Sequence, residues 1–452
     1  MIISQRRAGS RPEEIDTLMH LRSRCLLPFF LCLLATAEDP VMFRGNPQHT
    51  GIYETTGPAA FHAIKWKFHT GGQVISSPAV AKAMIYFGST DGNLYAVDRE
   101  SGTQKWKFET KVRVPSSPAV ADGFVYFESY DGSFYALDAN TGQLRWKFQT
   151  GGERRFAAKH IHGVNPAGEV MPDPFDVYLS SPAVWSGAVY FGSGDGNVYA
   201  LEAHTGALKW KFQTGDVVHA SPAIANGTVF IGSWDSNFYA LDAETGKERW
   251  RFKTGEDHEI FNQVGVQSSA AVVDGMVYFG CRDSNLYALD AATGEKKWSF
   301  NNKGSWVITS PAVVDGTVYF ATSDSAMFYA LGAKSGSQVF SLKFKWPMFS
   351  SPAIAGNSLY IGSDEGKLLA IDLAARKLAW EFQTDGFTQN GSRLEKADGT
   401  PNYEAVFTEN FYDSAVAAVS TMRTIGSIQS SAVVANGVIY FGSADGNLYA
   451  IR

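Results

Sequence analysis

Four histidines and three arginines are the side chains here whose type and placement suggest binding chemistry. His160 and His162 alternate along "KHIHG", so in extended backbone both point one way, a spacing that two metal ligands can use. His219 stands immediately before an "ASPAI" phrase, and His258 lies in the segment "GEDHEIFN". Arg113 lies three residues before an "SSPAV" phrase, and Arg154 and Arg155 open the segment "GGERRFAAKHIHG". Planar guanidinium groups suit carboxylate and phosphate partners. The competing reading is that all seven are solvated loop residues, because a site needs convergence that spacing alone does not provide. No nucleophile motif, glycine-rich phosphate loop followed by a helix, or defensible carboxylate pair accompanies them.

The elements that must position these residues are repeated. Copies of one phrase begin at Ser76, Ser116, Ser180, Ala220, Ser268, Thr309, Ser350 and Ser430. The basic spacing, about 40 residues, fits a four-stranded propeller blade. In the second copy, "SSPAV" reads as an inner strand, Asp122-Gly123 as a hairpin, "FVYFES" as the second strand and Asp131-Gly132 as another hairpin. "SFYALD" is the third strand, "ANTGQ" a turn and "LRWKF" the outer strand. Asp-Gly favours a two-residue type I′ turn, since glycine takes positive φ freely. Asp91, Asp131, Asp195, Asp235 and Asp283 recur at one place in successive copies and therefore read as turn residues, not calcium ligands.

The eighth copy stops at "NLYAIR", without an outer strand, while "IKWKFHTGG" from Ile64 is an outer-strand phrase with no inner strands before it. Short strands in an open row leave exposed edges, and ring closure removes them. The predicted fold is therefore all-β: an eight-bladed β-propeller of four-stranded antiparallel blades, closed by the N-terminal strand completing the last blade. Trp66, Trp106, Trp146, Trp210, Trp250, Trp298 and Trp380 occupy one position of the outer strands and read as docking residues between blades. The sixth blade departs from the pattern, with Phe340 for Trp, Gly332 for Asp and one extra residue near Ala326.

Three inter-blade connections are long: residues 151–179, 255–267 and 385–429. All fall on the same face, which makes that face the place for function. In the last, Phe411, Ala415, Val419 and Met422 sit near helical spacing, predicting a short amphipathic helix that caps the channel or binds a partner.

Composition agrees with many short strands: of 452 residues 44 are glycine, and aromatics make up 13%. A net charge of -6 offers no basic stripe for nucleic acid. From Met19, a basic start, the apolar run Leu26 to Leu34 and Ala35-Thr36-Ala37 form a secretory signal in order, predicting cleavage near Ala37 and a periplasmic or secreted product. The expected organisation is a 1–37 extension and signal followed by one 38–452 propeller, monomeric and without a membrane span. Cys25 and Cys32 lie in the signal, leaving Cys281 alone, as a small buried residue. Neither signal cysteine follows the small residue that bacterial lipidation requires.

The phrase "ALDANTGQLRW", with "ALDAETGKERW" and "ALDAATGEKKW", resembles the tryptophan-docking motif of the pyrroloquinoline quinone (PQQ) repeat family, over nearly the whole chain from Ile64. The resemblance implies an eight-bladed propeller. It is compatible with quinoprotein dehydrogenases, which hold PQQ and calcium at the ring's mouth. It is equally compatible with cofactor-free members such as the propeller subunit of the outer-membrane β-barrel assembly machinery. The dehydrogenases' adjacent cysteine pair and haem motif are not present in this sequence, and its blades are mostly plain where the longer dehydrogenases carry insertions that build the active site. The expectation is thus an exported, non-catalytic scaffold, with no cofactor and no metal, binding a protein or envelope ligand on its elaborated face. A PQQ-dependent alcohol or sugar dehydrogenase and a carbohydrate or cell-wall binder using Trp185, Trp234 and Trp306 as exposed aromatics are the alternatives.

Overall fold

The computed structural model describes residues 41–159, 169–255, 264–406 and 410–452. The signal segment, His160, His162 and His258 lie outside the described residues. Eight four-stranded antiparallel sheets follow one another along the chain. In blade 2 the strands are Ala119–Ala121, Phe124–Ser129, Ser133–Asp138 and Leu144–Gln149. Asp122 and Gly123 both have positive φ, 49° and 81°, as the type I′ hairpin requires. The second hairpin differs from expectation. Only Gly132 is left-handed there, φ 74°, and Asp131 instead uses its carboxylate, accepting from Ser133 N and from Tyr135 Oη at 2.6 Å.

The inner strand is also shorter than the phrase predicts, because the serines serve another structure. In every blade the second residue of the phrase donates its backbone N–H to the serine Oγ of the next blade: Ser77 to Ser117, Ser117 to Ser181, Ser181 to Ser221 and Ser221 to Ser269. Ser269 to Ser310, Ser310 to Ser351, Ser351 to Ser431 and Ser431 to Ser77 complete the circuit. In six blades the following residue is proline, which has no N–H to offer a strand ladder; blades 5 and 8 have Ala270 and Ala432 there. Eight side chains thus form a closed hydrogen-bonded ring about the axis.

At the rim the tryptophans dock as predicted. Trp106 Nε1 donates to Ala139 O of the next blade at 3.0 Å, and its indole lies flat on Gly142, where a Cβ would come within 2.6 Å of the ring. The other six make the same type of bond, and Trp380 finds Pro58 O because the N-terminal segment replaces the eighth turn. Ile64–His69 pairs antiparallel with Asn447–Ile451 and completes blade 8.

A second N-terminal closure was not foreseen. Residues 41–53 cross the axis on the face opposite the inter-blade loops, accepting from Val120, Ile224, Val272, Val313 and Ile354 N of five inner strands. Arg44, 2% exposed, donates to Pro311 O and Pro352 O at the centre. Burial and then the Arg44 charge hold His49 at about 3, so this imidazole is neutral.

Candidate functional site at the channel mouth

Two rings of eight side chains line the axis between this plug and the loop face. The lower ring is the serine circuit. Above it stand the residues that precede each phrase: Ile75, Pro115, Leu179, His219, Gln267, Ile308, Phe349 and Gln429. With Phe43 below and Tyr178 above, they enclose a cavity of about 60 Å³. That is room for a few waters, against the ~300–1,000 Å³ of a usual small-molecule pocket.

Around the mouth one position of the second hairpin changes its chemistry from blade to blade: Thr90, Tyr130, Gly194, Trp234, Arg282, Ser323, Asp364 and Ala444. Its backbone N–H bonds to the same inter-blade carbonyl in seven blades, so these residues are structurally equivalent. In blade 3 Gly194 N turns to the Glu153 carboxylate instead. Blade 2 departs two residues earlier: where its neighbours have Gly88 or Gly192 it carries Glu128, wholly buried. Burial, then Glu153, pushes the Glu128 carboxyl well above its ordinary range.

Both ends of the first insertion are clamped by His219. Its Nδ1 donates to Asp176 Oδ1 at 2.7 Å and its Nε2 to Glu153 Oε2 at 3.3 Å, all three side chains being at most 1% exposed. Burial pulls the imidazole down, but Asp176 and Glu153 together outweigh it and raise the pKa to about 10, so His219 is an imidazolium. Further along the insertion Asp173 meets Arg282 at 2.6 Å. The Arg282 guanidinium lies between the indoles of Trp234 and Trp306, 4.3 and 4.1 Å from their centroids, and also donates to Gln267. Phe156 stacks on the outside of Trp234 at 4.4 Å, and Phe175 packs edge-on to Trp306 and Phe349.

The third insertion covers the first. It contains helix α1 (Asp385–Asn390) and helix α2 (Phe411–Thr424). Asn410 caps α2 through Tyr412 N, and Tyr412 Oη donates to Pro172 O of the first insertion. Val419 and Met422 are buried with Trp346, Leu394 and Ile425, and Ala415 is half-buried, in accord with the spacing; the Phe411 side chain lies outside the description. The cap reading of α2 therefore describes its packing.

The predicted residues separate. His219 is brought to carboxylates and buried, where it ties loop to ring. Arg154 pairs with Asp216 at 2.8 Å on the surface. Arg113 stacks on Tyr130 at 3.8 Å, and it comes together with Arg155 and with Arg423 at the C-terminal end of α2. Burial and then the Arg155 and Arg113 charges lower the Arg423 pKa; burial, with Arg155 also opposing, lowers that of Arg113. Of the three tryptophans expected as exposed aromatics, Trp234 and Trp306 are 2% and 7% exposed, covered by Arg282 and the first insertion, and Trp185 is half-buried against the core. Cys281 is buried, its thiol pushed well up by burial. Glu128, Asp173, Asp176, Arg282 and Arg423 escaped the sequence reading. Comparing repeats position by position would have marked Glu128, as a departure from the glycine of Gly88 and Gly192, and Arg282, as the one cation at a position that varies from blade to blade.

Among the described residues no group of three or more His, Cys, Asp or Glu side chains is arranged to hold a metal ion. No described helix is long and apolar enough to cross a membrane.

No curated protein matches the sequence significantly. Among solved structures, BamB from Moraxella catarrhalis is 16% identical with a TM-score of 0.61, covering 86% of this chain and 97% of its own. A europium-containing methanol dehydrogenase is also 16% identical, TM-score 0.66, covering 91% and 97%. A quinohemoprotein alcohol dehydrogenase from Comamonas testosteroni is 14% identical, TM-score 0.65, covering 91% and 80%. These similarities show the propeller fold. The PQQ-repeat family described as outer membrane protein assembly factor BamB matches residues 59–163, 176–303 and 286–452, and the chain belongs to that family.

Proposed function

We propose that this chain is an exported, non-catalytic propeller that holds a protein or other envelope ligand on its loop-elaborated face. The observation that carries the reading is the filled mouth. Phe175, Tyr178, Leu179 and the Arg282 sandwich occupy the axis above the serine ring, leaving about 60 Å³. A flat tricyclic quinone needs an open aromatic face and several times that volume. The two faces of Trp234 are already taken by Phe156 and Arg282, so the residues present do not fit PQQ in this arrangement.

The insertions instead build a firm outer surface. Val170 and Val416, one on each of the first and third insertions, are 58% and 42% exposed, apolar residues a protein partner would cover. The family's description as an assembly factor supports a protein partner, and the signal pattern supports delivery to the envelope. The test is site-specific photo-crosslinking in cells with a photoreactive residue at Val416, or at Leu144 near the opposite face. A discrete adduct from position 416 and none from 144 is expected. Adducts from neither position, or only from 144, would contradict the reading.

A further inference from the structure

Arg113 and Arg423 line one groove at the loop face, and the Arg155 charge bears on both, in a protein whose net charge is -6. The three arginines come from three separate elements: the approach to blade 2, the first insertion and the last turn of α2. Asp176 acts on Arg113 and Asp364 on Arg423 as opposing charges, but neither pairs with its arginine directly, so an anion that joins the arginines would relieve their mutual repulsion. Among the described residues none of the three makes an ion pair within 4 Å. Arg423 Nε is buried and has no hydrogen-bond partner. The Tyr130 ring fixes the Arg113 group from one side at 3.8 Å.

Two open grooves lead to this point. One, of about 560 Å³, is lined by Arg113, Arg423, Gln73, Asp445 and their neighbours at residues 69–72, 90, 444 and 446. The other, of about 400 Å³, runs past Lys67, Gln389 and Asn390. They share His69, Arg423, Ala444 and Asp445 and so form one continuous channel along the surface. Two carboxylates, Asp445 and Asp385, also line it. Asp445 accepts from Tyr449 Oη, Gly386 N and Asn447 N, and Asp385 pairs with Lys67. With Lys67, Arg113 and Arg423 set against Asp385 and Asp445, the side chains lining the groove carry one net positive charge.

We infer that this groove docks an acidic peptide segment of the partner, with a carboxylate seated among Arg113, Arg155 and Arg423. The inference rests on the platform reading above and names the chemistry of its partner. Arginine clusters recognise acidic motifs through paired N–H donors that match a carboxylate. A lone phosphate would use the same donors but not the length of the groove.

Fluorescence anisotropy with fluorescein-labelled hexaglutamate at low salt tests it. Saturable binding is expected, weakened at least tenfold by Arg113→Gln and by Arg423→Gln, and unchanged by Arg154→Gln, which alters the neighbouring arginine paired to Asp216. Circular dichroism melts of each variant confirm that the fold is retained, and Arg155→Gln provides a third arm if either variant unfolds. No binding to the folded wild type, or equal loss in Arg154→Gln, would overturn the inference. Inorganic phosphate binding as tightly as hexaglutamate would also overturn it, in favour of a small-anion site. The Val416 adduct is read separately. An adduct that persists in Arg113→Gln and Arg423→Gln removes the groove as the docking point and leaves the platform. Hexaglutamate binding without any adduct removes the platform and leaves the groove.

Discussion

Ser431 donates its backbone N–H to Ser77 Oγ at 2.9 Å, joining the last blade to the first and closing a circuit of eight such bonds. The two residues are 354 positions apart, yet the bond matches those between neighbouring blades, such as Ser77 to Ser117, also 2.9 Å. Serine at this position is thus an inter-blade joint whose oxygen faces the axis.

Replacing Ser77 by Ala leaves the Ser431 N–H buried and unpaired. The expected loss is about 1–3 kcal/mol, the usual cost of an unsatisfied buried donor. Urea unfolding checks it. Because the joint closes the ring, Ser77→Ala should lower stability at least as much as Ser221→Ala in the middle of the chain.

The His219 clamp makes stability depend on pH. Its folded pKa of about 10 lies above the ordinary 6.5, so the proton is bound more tightly in the folded state. The stabilisation is fully present below about pH 6.5 and is lost as pH rises through about 10. In His219→Gln that dependence should vanish. The wild type's advantage, measured by thermal melts, should be largest near pH 6 and shrink steadily towards pH 10.

Asp173 and Arg282 form a buried pair between two indoles, and breaking one partner strands the other. Asp173→Asn should destabilise by about 3–5 kcal/mol. The double variant Asp173→Asn, Arg282→Met should recover a substantial part of this, because the stranded charge is gone. Limited proteolysis within residues 151–179 provides the readout, with cleavage fastest in the single variant.

Blade 6 lacks the turn carboxylate that Asp138 supplies in blade 2, where its Oδ1 accepts from Asn140 N, Thr141 N and Thr141 Oγ1. Gly332→Asp should restore those bonds to residues 334 and 335 and stabilise by about 1 kcal/mol. The new Cβ would stand 2.9 Å from Ser335 Oγ, a movable atom that rotates towards the carboxylate. Denaturation midpoints of the variant and wild type decide the sign.

The ring itself was legible because the repeat writes its rules many times over. Asp122-Gly123 at a hairpin, Trp106 at the rim and the orphan outer strand from Ile64 each follow from short-range chemistry. The plug was not legible, because "FRGNPQHTG" has no periodicity and gains its structure from N–H groups of the inner strands and from the Pro311 and Pro352 carbonyls that the ring brings to the axis. The mouth was half legible. His219, Arg113 and Arg155 were visible as polar residues on one face, but burial turned the histidine into a clamp. Arg423 joined the arginines only because α2 ends beside them, a tertiary fact that no spacing contains. Glu128 and Arg282 were hidden by treating the repeats as alike, when their differences carry the information.

The most direct test of the central claim is a calorimetric titration of PQQ, with calcium present, into the purified folded protein. A mouth filled by Phe175, Tyr178, Leu179 and the Arg282 sandwich predicts no saturable heat. One-to-one saturable binding, followed by dye-linked alcohol oxidation, would contradict the account and make the propeller a quinoprotein.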